Sequence, residues 1–411
     1  MSLTRFLPTP SDRMGILWSL LAIEDCIVLE YGPAGTTHFS MGLFGELGEN
    51  QQNRLFTTHM SEDDVIMGDV TRLEKAIVEL DQNFAPKVIF VVSSSVAAVI
   101  GSDIKGVCNY MQERVNARLI AFEQGGFRGD YTFGLVEVYK LLIQELVDYD
   151  PKPQKDTFNM LGFSMGSYRA LSDRWEIEDL LYHSFGLKLG ACLCGETSIG
   201  AIQQMGGASL NLVLREEGAA AAKMLKKKFG TPTVGGAPYG YQGTLEWLEK
   251  ISEAIGRPIS SQVRDELEQK INEAAYYPMY SRMLKFDHPS VALVGEYRPV
   301  VGIGQFLTQL GLKPNLQICL HSIKAVAKPE ENIRVCDSEK ERLNLLRGLH
   351  RSLIMADDPS MSVCHKEDNV FLRISMPVVR GNQTARHLPL VGIRGADFIM
   401  ETVEEYLQML R

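Results

Sequence analysis

The sequence predicts an α/β protein built from three consecutive open parallel sheets, and three observations lead there. A short apolar run, a Gly- or Ser-rich turn and an amphipathic helical stretch follow one another repeatedly along the 411 residues. The apolar runs lack the in–out alternation of a half-exposed strand, as expected where helices cover both faces of a parallel sheet. A polar segment with two prolines, DYDPKPQKDT at 148–157, interrupts the pattern, which then restarts.

The first unit takes residues 1–150. CIVLEYG (26–32), KVIFVVSSS (87–95) and ARLIAFEQGG (117–126) read as buried strands. Between the first two, SEDDVIMGDVTRLEKAIVELDQNF reads as one helix. Ser61 suits its cap, Glu62, Asp63 and Asp64 suit the positive end of its dipole, and Ile66, Val70, Leu73, Ile77 and Leu80 recur at helical spacing. Strand, crossover helix and strand make a βαβ unit.

The second unit takes residues 151–285. TFNMLGFSMGSY is a strand and turn, DRWEIEDLLYHSFG a helix ending at Gly186, and LKLGACLCGETS the next strand. ASLNLVLREEGAAAAKMLKKKFG is a strand and helix closed by Gly230. TPTVGGAPYGYQGTLEWLEKISEAIG puts a Gly-rich loop before another helix. That loop lacks the Lys-Ser/Thr that completes a phosphate loop. The third unit, 286–411, opens with PSVALVGEYRPVVGIGQFLTQLGLKP as strand, helix and strand, and ends in PLVGIRGADFIMETVEEYLQML, a turn and terminal helix.

Composition narrows the function. A formal charge of -9 argues against nucleic acid as a partner, since a phosphate-binding face needs concentrated basic charge. Lys226, Lys227 and Lys228 form the one tight basic cluster and suit a helix C-terminus. No apolar run is long enough to cross a membrane, and the N-terminus lacks the build of a signal peptide, so a cytoplasmic protein is expected. Seven cysteines at scattered spacings read as reduced and buried.

Ligands of open parallel sheets sit at the carboxyl ends of strands. The turns to watch are therefore 32–38, 93–95, 124–128, 162–167, 194–198, 215–218 and 295–298.

These turns resemble a known family. LEYGPAGTTHF, TTHMSEDDVIMG and FVVSSSVAAVIGSDI resemble the N-terminal domain of nitrogenase component 1 proteins. That group comprises nitrogenase subunits, the cofactor-scaffold pair, dark-operative protochlorophyllide reductase and the nickel-sirohydrochlorin reductive cyclase. NMLGFSMGSYRALSDRWEIEDLLYHSFGLKL, LNLVLREEGAAAAKMLKKKFGTP and HLPLVGIRGADFIMETV continue the likeness in order. It implies three Rossmann-like domains around a central cleft.

The departures bear on cofactors. The resemblance implies three thiolate positions for half of a bridging iron–sulfur cluster. They fall near Pro10 and Ser11, at Thr36 and at Ser95. Neutral hydroxyls are poor substitutes for thiolate. A 4Fe-4S cluster is then expected only if a cysteine-bearing partner subunit supplies most ligands, with Thr36, Ser95 or Asp12 as neighbours or a weak oxygen ligand. The family's other metal-cofactor ligands fall near Arg215 and at Val391, so no FeMo-cofactor is expected.

Further candidates compete with plainer readings. Cys194 could ligate metal where its strand opens toward the cleft, or be a small core residue. His38 and His59 flank the altered loops as catalytic candidates, or hydrogen-bond locally. Glu62 is a candidate acid, yet its place at a helix start explains it. Arg215, Arg298 and Arg394 suit the carboxylates of a ligand, or surface ion pairs.

The resulting expectation is a nitrogenase-like oxidoreductase component 1 subunit, a homodimer or heteromer with a second such chain. A NifH-like ATP-dependent reductase would supply electrons, and a small molecule or tetrapyrrole would occupy the cleft. The alternative is a non-catalytic scaffold or carrier of a metallocofactor precursor or tetrapyrrole.

Overall fold

The computed structural model describes residues 9–37, 54–278, 289–326, 328–336, 338–376 and 387–410. Its strands form three parallel sheets, each flanked by helices.

In the first, strands β1 (Cys26–Tyr31), β2 (Leu55–Thr57), β3 (Val88–Ser93) and β4 (Arg118–Phe122) lie in the order β2-β1-β3-β4. Every residue of β1 and β3 is buried, which is why neither shows alternation. Helix α1 (Asp12–Leu21) precedes this sheet, and α2 (Glu62–Met67), α3 (Thr71–Phe84), α4 (Ser95–Val99), α5 (Ile104–Met111) and α6 (Tyr131–Leu146) follow its strands. The stretch read as one helix is two. Gly68, at φ 65°, terminates α2, and Ile66 lies exposed instead of in the apolar stripe. The Ser61 cap holds, as a capping box closed by Asp64.

The second sheet has strands β5 (Gln154–Leu161), β6 (Lys188–Cys192), β7 (Ala208–Val213) and β8 (Thr233–Gly235) in the order β6-β5-β7-β8. Helices α7 (Ala170–Phe185), α8 (Ile199–Gln203), α9 (Ala219–Phe229), α10 (Gly240–Ile255) and α11 (Ser261–Ala274) belong to it. Gly186 and Gly230 end α7 and α9 in the left-handed region, as expected. The first half of the Gly-rich loop is the short strand β8, and β5 already begins inside the two-proline segment.

The third sheet orders β9 (Ser290–Gly295), β10 (Leu316–Cys319), β11 (Arg334–Val335), β12 (Ser352–Ala356) and β13 (Val370–Arg373) as β11-β10-β9-β12-β13. Its helices are α12 (Tyr297–Gln309), α13 (Glu339–Arg347), α14 (Asp358–Met361) and α15 (Gly392–Leu410).

The cores run across the units. One cluster joins Leu17, Val28, Phe90 and Leu135 to Leu161, Leu193 and Leu225 of the second unit. Another joins Leu212 and Leu248 to Leu293, Met355 and Ile399 of the third. Helices α1 and α6 cross so closely that a Cβ on Gly134 would lie 1.9 Å from Asp12 O, and one on Gly15 2.1 Å from Tyr131 O. Among the described residues no helix is long and apolar enough to cross a membrane.

Candidate functional site

Two polar clusters stand at the carboxyl ends of these sheets. The first lies on the rim of the first sheet. Glu30, a lone carboxylate in an apolar strand, is fully buried and pairs with Arg13 of α1. Its other oxygen accepts from Thr37 Oγ1 at 2.8 Å. Thr36 Oγ1 lies 3.1 Å from Glu30 Oε1 and 2.8 Å from Pro33 O. A buried carboxylate requires such partners, so the β1 turn is clamped from below by charge.

The neighbouring turns close on the same place. A Cβ on Gly32 would sit 2.4 Å from Ser94 Oγ and 3.5 Å from Thr36 Oγ1, so only glycine lets the β1 and β3 turns approach. Ser95 Oγ donates to Gly125 O at 2.7 Å. A Cβ on Gly126 would fall 3.2 Å from Ser11 Oγ and 3.6 Å from Ser95 Oγ. Ser11, Thr36 and Ser95, far apart in sequence, thus share one rim. Beside them Asp12 is buried, and neither carboxylate oxygen makes a well-formed hydrogen bond. Burial pushes its carboxyl above the usual range, partly countered by the nearby Arg128 and Arg13 amides.

This donor set does not fit an iron–sulfur cluster held by this chain alone. The rim offers hydroxyls and two carboxylates, hard donors where iron and sulfide require thiolate. All seven cysteines are buried elsewhere, and among the described residues no three His, Cys, Asp or Glu side chains are placed to hold a metal.

The second cluster sits where the three units meet. Glu296, at the N-cap of α12, is buried, and its Oε1 accepts from three directions. Tyr131 Oη of α6 donates at 3.3 Å, Ser167 Oγ from the β5 turn at 3.1 Å, and Arg215 Nη1 from the β7 turn at 2.8 Å. Burial alone would raise the Glu296 carboxyl, but Arg215 beside it, together with His321 and Ser167, more than offsets this and holds it below the usual range. Close by, Tyr297 N–H donates to His321 Nε2 at 3.0 Å, and His321 Nδ1 donates to Ser322 O at 2.9 Å. Burial opposes charging His321, but Cys319 and Glu217 outweigh it and raise the imidazole to about 9. In its neutral form the Tyr297 amide aimed at Nε2 places the ring proton on Nδ1.

A cavity of about 30 Å³ adjoins this junction, lined among others by Ser164, Ser167, Asp173, Arg215 and Tyr239. That volume admits water or a small ion, and not a tetrapyrrole. Asp173 accepts from Leu390 N at 2.6 Å, and burial raises its carboxyl to about 7.

Of the residues singled out from sequence, Thr36, Ser95 and Arg215 stand in these clusters. Arg298 pairs with Glu216, and Arg394 pairs with Glu176 and with Asp179 at 2.8 Å. Both therefore bridge the second and third units instead of reaching toward a ligand. Cys194 is a correction. It lies in the shared core with no exposed surface, at φ 65°, and burial raises its thiol well above the ordinary range. The chain turns inward after β6, so the strand does not open into the cleft there. His59 is exposed at φ 55° beyond β2, and Glu62 is exposed in the first turn of α2; neither belongs to either cluster. His38 lies outside the described residues.

Sequence reading passed over Glu30, Arg13, Tyr131, Ser167, Asp173, His321 and Glu296. For Glu30 the signal was a charge inside an apolar strand. Ser167 and Glu296 stand on turns already singled out by their place at strand ends. Nothing local marks Tyr131, Asp173 or His321.

Comparison with known proteins agrees with this architecture. The family described as nitrogenase component 1 type oxidoreductase matches residues 11–408. The chain is 31% identical over 292 residues to the nitrogenase iron-molybdenum cofactor biosynthesis protein NifE of Clostridium pasteurianum, covering 69% of this chain and 62% of that protein. It is 26% identical over 273 residues to the nitrogenase molybdenum-iron protein alpha chain of Methanosarcina barkeri, covering 64% and 51%. It is 20% identical over 387 residues to one of the subunits of the light-independent protochlorophyllide reductase of Heliobacterium modesticaldum, covering 92% and 74%. The match thus spans less than two thirds of the NifE relative. A solved structure of nitrogenase Cp1 at pH 6.5 superimposes with a TM-score of 0.81 at 16% identity, covering 99% of this chain and 94% of that one.

Proposed function

The chain belongs to the nitrogenase component 1 type oxidoreductase family, and from that premise we propose that it is a component 1 subunit dependent on a cysteine-bearing second chain. A NifH-like ATP-dependent reductase would deliver electrons to the pair. The observation that carries this reading is the rim of the first sheet. Ser11, Thr36 and Ser95, where the resemblance implies ligands, lie together on one rim, which supports reading it as a half-site whose donors are oxygen. Such a half contributes at most a weak ligand, and the partner supplies the sulfur. Dinitrogen reduction by an iron–molybdenum cofactor is not part of the proposal, since Arg215 and Val391 stand where the resemblance calls for ligands.

A second reading, a scaffold or carrier for a metallocofactor precursor, is favoured by the likeness to cofactor biosynthesis proteins. One experiment separates the two. The chain is purified anaerobically alone and after co-expression with a cysteine-bearing family chain, and iron content and low-temperature EPR are measured. Iron and a reducible cluster signal in the pair alone support the subunit reading. Stable pairs free of iron favour the carrier, and a cluster in the lone chain overturns both the ligand analysis and the dependence on a partner.

A further inference from the structure

Three donors from two units converge on one oxygen of Glu296, which the third unit supplies. Tyr131 Oη comes from the first unit, and Ser167 Oγ and Arg215 Nη1 come from the second, at 3.3, 3.1 and 2.8 Å. Remove the Glu296 side chain and what remains is a hydroxyl, a phenol and a guanidinium pointed at a common position. That is the donor set that recognises a carboxylate.

We propose that Tyr131, Ser167 and Arg215 form a receptor for a small carboxylate ligand, and that Glu296 occupies it as an internal stand-in until a ligand displaces it.

Two further observations bear on it. Arg215 keeps 16% of its side chain exposed, and with Ser167 it lines the cavity of about 30 Å³. Glu296 is the one carboxylate at ion-pair distance from Arg215 among the described residues. A buried guanidinium left without an anion is strongly unfavourable, so loss of Glu296 from Arg215 and arrival of a carboxylate are coupled events.

The fold limits the ligand's size. The second and third units share a continuous apolar core, and the site between them is small. The room available is the cavity plus the volume of one departing carboxyl group, which suits a short-chain monocarboxylate or dicarboxylate and excludes a macrocycle. Asp173 on the cavity wall and buried Glu217 nearby are acidic, so a ligand of one or two charges is favoured over a polyanion.

The inference deepens the proposed function by naming what the cleft takes, and rests on that reading only for the cleft's being a binding site. It is tested on the isolated chain, so its outcome is separate from whether the co-expressed pair holds iron. Acetate and succinate are titrated by calorimetry and thermal shift against chloride at matched ionic strength. The proteins are the wild type, E296A, E296Q and the charge-balanced E296A/R215M. The wild type should bind weakly but saturably, because an internal competitor lowers the apparent affinity by the fraction of time the receptor is free. E296A should bind about tenfold tighter or more, and E296A/R215M should lose binding. E296Q, which keeps the side-chain shape, serves if E296A does not fold, and is expected between wild type and E296A. Absence of saturable binding to the wild type overturns the proposal and leaves the pair a structural clasp. Equal affinity of the wild type and the Glu296 variants, or binding that survives loss of Arg215, overturns it too.

Discussion

At the scale of single residues, the molecule places charge where packing alone would place hydrocarbon. Glu30 and Arg13 face each other inside the first unit, with Thr36 and Thr37 completing the carboxylate's bonds. Cutting one partner leaves the other charged and dry, at a cost of about 3–5 kcal/mol. Glu30→Ala should therefore lower unfolding stability in urea by about that amount, and E30A/R13M should recover much of it, since the double change removes the orphan charge. Equal losses in the single and double variants would show that the pair acts by packing only. Asp173 gives a pH-dependent counterpart. Burial lifts its carboxyl to about 7 from the ordinary value of 3.8. For a group raised in the folded state, the stabilisation is full below about pH 4 and is lost as pH climbs to about 7. Asp173→Asn keeps an acceptor for the Leu390 amide but does not titrate. Its stability relative to wild type should rise between pH 4 and 7 and level off above, by on the order of 1–3 kcal/mol. A difference that stays flat over that range would contradict the assignment.

At the scale of elements, the sequence was most legible where one local rule governs a stretch. The strands at 26–31, 88–93 and 290–295 were visible because buried parallel strands are nearly continuous apolar runs. Helix ends at Gly186 and Gly230 were visible because a left-handed terminus favours glycine. The break at Gly68 was missed because Ile66 and Val70 keep helical spacing across it, and periodicity does not register a cap inside an apolar pattern. Strands β8 and β11, of three and two residues, are too short to show any period. The rim hydroxyls were found by resemblance and the turns by topology. The junction at Glu296 was not, since its partners lie 165, 129 and 81 residues away in sequence. Contact between α1 and α6 likewise leaves only two glycines as its trace. Gly134→Ala would drive a methyl group to 1.9 Å from Asp12 O, backbone with nowhere to yield. Overpacking of this kind costs about 1–3 kcal/mol or more. The variant should melt well below wild type, with the loss traced by hydrogen exchange to α1 and α6 first. Uniform loss of protection over all three sheets would instead mean that this crossing does not unfold as a local unit.

At the scale of the whole molecule, the three sheets are distinct in topology but not in energetics. The polar segment at 148–157 suggested a boundary near residue 150, and the strand pattern restarts there as expected. Yet Leu17, Phe90 and Leu135 of the first unit pack in one cluster with Leu161, Leu193 and Leu225 of the second. The second is joined in the same way to Leu293, Met355 and Ile399 of the third. A unit that could fold alone would close its own core and meet its neighbours through a smaller, more polar surface. Here the helices α1 and α6, both belonging to the first unit, cover apolar side chains of the second sheet as well as their own. Residues 1–150 expressed alone should consequently expose that face, aggregate or bind hydrophobic dye, and show no sharp thermal transition. The full chain should unfold in one calorimetric transition whose calorimetric and van't Hoff enthalpies agree. Two resolved transitions, or a cooperative melt of the fragment, would mean that the shared clusters are contacts between finished domains.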